Sequence, residues 1–123
     1  MEISPRSNIP SPVPEDPKTA RIRHLNDHLR STFLGGQVYL STGVSALDDE
    51  EKARILMKVR HFDTFEPGND PYGEHDFGAF TACGRKIYWK IDTYDKTMTY
   101  ASPAPWDPMQ SRRVLTILRA DEY

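Results

Sequence analysis

One cysteine among 123 residues, Cys83, excludes an internal disulfide framework and a multi-cysteine zinc site. Its plain reading is a reduced thiol in a turn of a cytoplasmic protein, not a nucleophile. No apolar run approaches the roughly 18 residues that a membrane span requires. A leader's apolar core is missing as well, because Glu2, Pro5, Pro10, Pro12 and Pro14 interrupt the first residues. A formal charge of −2 supplies no general attraction to nucleic acid or anionic membranes. There is no P-loop and no dinucleotide fingerprint. Hydrophobic residues make up only 37% of the chain, and the proline-rich start accounts for part of that low figure. What remains is a soluble cytoplasmic domain, one rather than two at this length.

Residues 1–15 read as a flexible or polyproline-II tail, leaving a single domain over 16–123. Asp16-Pro17 opens a helix, with aspartate at the N-cap and proline at the first helical position. Ile22, Leu25, Leu29 and Phe33 form its apolar stripe, and Gly35-Gly36 stops it. Arg21, His24 and His28, with Arg23 and Arg30 nearby, make a basic side that reads as a solvated face more readily than a phosphate-binding one. Gln37–Ser41 is a short strand. A second helix covers about 49–61, opened by the Asp48/Glu51 capping box. Ala53, Leu56 and Val59 point one way, Phe62 completes that stripe, and Ile55 and Met57 widen it, predicting burial on more than one side. Strands follow at Asp76–Ala82, Lys86–Asp92 and Thr97–Ala101, with a tight turn at Cys83-Gly84. Asp107-Pro108 predicts a short helix over about 108–113, and Val114–Leu118 a final strand. Helices first and a meander afterwards define an α+β domain. Its antiparallel sheet of about four or five strands carries both long helices on one face.

Chemistry-bearing residues crowd into Asn69–Gly78 and the strand behind it. Asp63, Gly68 and Glu74 fit an EF-hand, but Phe65 and Pro67 occupy positions that need side-chain oxygens, so that site is rejected. Asp76-Phe77-Gly78 matches the kinase magnesium triplet by letters alone, without the other kinase signatures. Asp70, Glu74, Asp76 and Asp92 are candidate ligands of a divalent metal; carboxylates alone suit Mg²⁺ or Mn²⁺, and adding His75 suits Zn²⁺ or Fe²⁺. In an extended segment Glu74 and Asp76 share one side and His75 takes the other. A metal-free hydrolase or nuclease would use His75 with Glu74, Asp76 or Asp92 as acid and base, and Lys90, Arg112 or Arg113 to neutralise a phosphate. Against both stands the plainer role of capping loop amides and pairing with Lys90 or Arg85. The aromatic residues point to a binding surface. Trp89 belongs to the core, whereas Tyr72, Tyr88 and Tyr94 join Asp70, Glu74, His75, Lys90 and Asp92 in a polar, aromatic surface suited to a protein partner. Stacked single-stranded bases are disfavoured by the acids beside it.

Several segments resemble a known family. They are Arg23–Asp27, Leu34–Gly36, Asn69–Phe80, Trp89–Asp92 with Tyr94-Asp95, and Arg112–Ile117. The Gly73-Glu74-His75-Asp76-Phe77-Gly78 string is the most specific of them. Together these segments resemble the proteobacterial domain of unknown function 3768, met largely on plasmids and integrated elements. The resemblance implies a setting and no catalytic residue: small accessory proteins of mobile elements often bind and block host defence machinery. The leading expectation is therefore a non-enzymatic protein-binding domain, without cofactor, that uses the 66–80 loop and the polar strand face. The alternative is a metal-dependent or His-assisted hydrolase.

Overall fold

A computed structural model describes residues 15–123, so all of the expected tail except Glu15 lies outside the described residues. Asp16 accepts a bond from Lys18 N–H and Pro17 takes the first helical position, as the capping chemistry requires, and helix α1 (Pro17–Thr32) begins there. The helix ends earlier than the double glycine, on Phe33, which adopts a left-handed φ of 62° and returns its N–H to Leu29 O at 2.7 Å. Strand β1 (Gln37–Leu40) leads into a single unanticipated turn, α2 (Thr42–Ser45), capped by the Ser41 hydroxyl. Asp48 caps α3 (Asp49–Arg60) through Glu51 N–H at 2.8 Å, and acidic residues fill its first turn.

The burial of α3 corrects the sequence reading. Ile55 and Val59 are buried and Leu56 partly so, whereas Ala53 and Met57 are exposed. The stripe is one-sided because the helix meets the protein only along the row that Ile55, Val59 and Phe62 complete.

Strands β2 (Phe77–Ala82), β3 (Arg85–Tyr94) and β4 (Arg112–Arg119) join β1 in one four-stranded sheet, ordered β1-β4-β3-β2. Cys83 and Gly84 both have positive φ, 55° and 75°, which matches the hand of a two-residue hairpin between β2 and β3. The α+β class and the four strands agree with expectation, but one pairing does not: β1 runs parallel to β4. The chain crosses through α3 and the hairpin before β4 returns beside β1, and such a crossover brings strands together parallel.

Two predicted elements are absent. Thr97–Ala101 forms a turn touching the sheet only by the Tyr94–Ala101 bridge. The Asp95 carboxylate collects Thr97 N–H at 3.1 Å, the Thr97 hydroxyl at 2.7 Å and Thr99 N–H at 3.1 Å, a side-chain alternative that outcompetes strand pairing. The helix over 108–113 gives way to turns. β4 already starts at Arg112, leaving room for about one helical turn after Asp107, and its carboxylate caps Met109 N–H instead.

All helices cover one sheet face. Ile87, Trp89 and Ile91 of β3 and Leu115 and Ile117 of β4 pack with Leu29, Val44, Ile55 and Val59 in a single core. Trp89 is fully buried and faces Gly78 across the β2–β3 pair. A Cβ on Gly78 would lie 2.4 Å from the indole Nε1 and 2.8 Å from Phe62 Cζ, so the close approach of strand and ring requires glycine. The alternate residues of β3, Tyr88, Lys90 and Asp92, stand on the helix-free face, where Tyr123 folds against Tyr88 with ring centroids 5.4 Å apart.

Candidate functional site

The loop between α3 and β2 contains two short turns and no strand, yet α1 holds it at three successive residues. Arg23 donates to Gly73 O at 2.9 Å and Asn26 donates to Glu74 O at 2.9 Å. His75 Nδ1 lies 2.8 Å from Asp27 Oδ1, so Nδ1 carries the proton, since an ionised carboxylate only accepts. Asp70, whose side chain is 7% exposed, accepts His75 N–H at 3.1 Å, and its other oxygen lies 3.5 Å from His75 Nε2. The imidazole stacks on Phe65 at 3.6 Å with the rings nearly parallel. His75 itself has a φ of 54°, a left-handed conformation that this web of contacts sustains.

Behind this contact lies a buried cationic layer. Arg30, fully inside, donates to Val59 O at 3.1 Å and to Asp27 at 3.1 Å, with its guanidinium 5.4 Å from the Trp89 ring centre. Arg113 donates Nε–H to Asn26 Oδ1 at 2.8 Å and a second N–H to Pro105 O. Burial, with Arg21 adding to it, lowers the Arg113 pKa to about 10, while Glu74 works in the opposite direction. Asn26 therefore joins a buried cation to the loop main chain.

On the other side of the loop is a cleft of about 320 Å³. Ile22, Ile91 and Pro105 supply apolar walls, and Asn26, Glu74, Asp76 and Asp92 supply polar ones. Withdrawal from water raises the Glu74 pKa, and Asp76 and Asp70 raise it further, with Arg113 opposing. The Asp76 pKa is raised chiefly by the same partial desolvation, although the residue as a whole stays open to solvent, and by Asp70 and Asp92. Neither carboxylate has an ion-pair partner among the described residues, whereas Asp92 is paired with Lys90 at 2.8 Å. That bond, more than nearby charge, raises the Lys90 pKa.

The candidate residues thus divide. Glu74, Asp76 and Asp92 share the cleft; alternation placed the first two together on the premise of an extended segment, and the positive φ of His75 shows that the segment is not a strand. His75 and Asp70 face α1. Among the described residues no three His, Cys, Asp or Glu side chains come close enough to hold one metal ion. Lys90 is bound to Asp92 on the helix-free face and does not meet His75. Tyr88 and Tyr94 are partly buried along that face, while Tyr72, at the loop tip, is 80% exposed.

Sequence reasoning missed Asn26 and Asp27, and it offered Arg113 only as a phosphate neutraliser, whereas the structure buries it against Asn26 and Pro105. A signal existed in α1: Asn26 follows Ile22 by four and precedes Leu29 by three, so it sits on the apolar stripe where an amide must find partners inside. Nothing in the sequence marked Arg113 as buried, because β4 was expected to begin one residue after it.

No curated protein and no solved structure matches this chain. A family model described as "Protein of unknown function (DUF3768)" matches residues 40–122, spanning the loop, the cleft carboxylates and strands β2 to β4. α1, which supplies the contacts that hold the loop, precedes the matched residues. With most of its length covered by that model, the chain belongs to the DUF3768 family of proteins of unknown function.

Proposed function

We propose that this protein is a small non-enzymatic binding module that contacts a protein partner through the 66–80 loop and the helix-free face of its sheet. The observation that carries this reading is Tyr72: it is 80% exposed at the tip of a loop that Arg23, Asn26 and Asp27 hold in place. A large aromatic on a pre-ordered loop loses little conformational freedom on binding, which is what an interface anchor needs. Tyr88, Lys90, Asp92 and Tyr94 extend the surface along β3. The unpaired acids beside it favour protein over nucleic acid. A cytoplasmic, mobile-element setting with a counter-defence role completes the proposal. It rests on the resemblance, and the absence of any helix long and apolar enough to cross a membrane among the described residues is compatible with it.

A photo-crosslinking amino acid placed at residue 72 would trap the partner, with the same substitution at Glu50 as the control. The reading expects an adduct from position 72 alone, and the purified partner should bind Tyr72→Ala at least tenfold more weakly with the melting temperature unchanged. Equal adducts from both positions, or full affinity in Tyr72→Ala, contradict it.

A second reading is favoured by the raised pKa values of Glu74 and Asp76 in one cleft, since burial that makes a carboxyl hold its proton more tightly moves it toward the role of a general acid. In this hydrolase, Glu74 and Asp76 act on the substrate and His75 only positions the loop. Hydrolysis lost in Glu74→Gln and kept in His75→Gln would establish it; its loss in His75→Gln with an unchanged melt would contradict the division of roles.

A further inference from the structure

We propose that the small pocket between α1, the turn at Gly35 and the start of β4 binds a tetrahedral oxyanion, a phosphate group, on the buried guanidinium of Arg113. This goes beyond the function proposed above, because the pocket shares no residue with the 66–80 loop, the cleft or the helix-free face.

Arg113 is 4% exposed and has no ion-pair partner among the described residues. Its Nε–H goes to the Asn26 amide oxygen and an N–H of Nη2 to Pro105 O, both neutral acceptors. Nη1 donates to nothing among the described residues, yet it is not sealed from water. Glu74 is near enough to stabilise the charge without bonding to it, but burial and Arg21 outweigh it and draw the pKa down to about 10. A buried cation held by neutral groups alone costs stability, and an anion brought to it offsets that cost through charge-assisted hydrogen bonds.

Arg113 lines a pocket of about 100 Å³ with Leu25, His28, Gly35, Pro108 and Ser111. That is about the liquid volume of three waters, room for one oxyanion and little more. Among the described residues no acid lines it. The acids next to its walls in the chain are engaged elsewhere, Asp27 with Arg30 and His75, and Asp107 with Met109 N–H at 2.9 Å. Further cations stand close by. Arg21 lies one turn before Leu25 on the stripe of α1 that His28 continues, and Arg112 donates to Ser111 O at 2.9 Å. Part of the basic side of α1 thus reaches this pocket. Two more donors are available, because neither the His28 ring nor Gly35 N–H makes a hydrogen bond among the described residues. They are neighbours: a Cβ on Gly35 would lie 3.4 Å from His28 Cδ2. The Ser111 hydroxyl gives its proton to Ala104 O at 2.8 Å and serves only as wall. Donors from a strand, a helix and a turn suit oxygens that do not share one plane, as in a tetrahedral oxyanion and not in a carboxylate.

The test is calorimetric titration of the full chain with sodium phosphate at fixed ionic strength, with backbone amide and arginine Nε–H resonances followed by NMR. Melting curves alone would mislead, because phosphate stabilises folded proteins generally by exclusion from their surface. Saturable binding of one ion per chain is expected, with the largest shifts at Arg113 Nε–H and Gly35 N–H, and with acetate at least tenfold weaker. His28→Glu puts a carboxylate beside Arg113, and should weaken phosphate at least tenfold without lowering the melting temperature. Lys58→Glu, on the exposed side of α3, should leave binding unchanged. Arg113→Lys should also lose binding; if that variant fails to fold, His28→Glu and the NMR shifts decide. Titration with phosphoserine separates the sources. Binding as tight as that of phosphate assigns a phosphoryl group on a larger ligand, its exclusion assigns the free ion, and either result supports the pocket. Absence of saturable phosphate binding, shifts centred on other residues, acetate bound as tightly, or indifference to His28→Glu would overturn the proposal.

Discussion

The two sides of the 70–76 loop are built on opposite terms. Toward α1, its polar groups are satisfied: His75 has Asp27 and Asp70, Gly73 and Glu74 carbonyls have Arg23 and Asn26, and Asn26 in turn holds Arg113. Toward the cleft, Glu74 and Asp76 lose water and gain carboxylate neighbours without a cation bound to them. A buried group with its partners stabilises the fold; a partly desolvated charge without one costs stability and persists where it serves something else. The α1 side is therefore structural, and the proposed function is assigned to the cleft and the tip.

The largest expected effect comes from breaking the satisfied side. Asn26→Ala leaves Arg113 short of a partner inside the protein, and should cost about 3 kcal/mol, with a melting temperature lower by on the order of 10 °C. Differential scanning calorimetry would check it; a loss under about 1 kcal/mol would mean water replaces the amide. His75→Ala removes the Asp27 bond and the Phe65 stack and should cost roughly 1–3 kcal/mol by denaturant unfolding. Tyr72→Ala and Lys90→Ala lie at the small end. The first should leave the melt unmoved, and the second, removing a half-exposed ion pair, should cost less than about 1 kcal/mol.

The fold was legible where local chemistry and burial agree. Asp16-Pro17, the Asp48 N-cap, the Cys83-Gly84 turn and the alternation of Ile87, Trp89 and Ile91 each specify their element within a few residues, and the structure follows them, although Glu51 pairs with Arg85 and does not close the capping box. Thr97–Ala101 misled because β-branched threonines suit a strand, whereas Asp95 two residues earlier offers their N–H groups a nearer acceptor. The parallel partnership of β1 and β4 is a property of the whole path of the chain, with no residue that announces it. The same holds for the site. That Glu74 and Asp76 lie apart from His75 agrees with strand counting, although His75 reaches that placement through a left-handed φ, and Asp27, 48 residues before His75, becomes its partner only once α1 lies against the loop.

The most direct measurement is the pH dependence of unfolding for the Glu74→Gln/Asp76→Asn double variant against the natural sequence. Because both carboxyls have folded-state pKa values above their ordinary ones, the native state holds extra protons between those limits, and its stability falls as pH rises through that window. The variant is spared this loss. It should melt higher at pH 7, and the advantage should shrink as pH falls below the ordinary carboxyl values of 3.8 and 4.5, where both groups are protonated in either state. A variant that melts lower at pH 7 would show that the two carboxylates stabilise the fold, and the division between a structural and a functional side of the loop would fail.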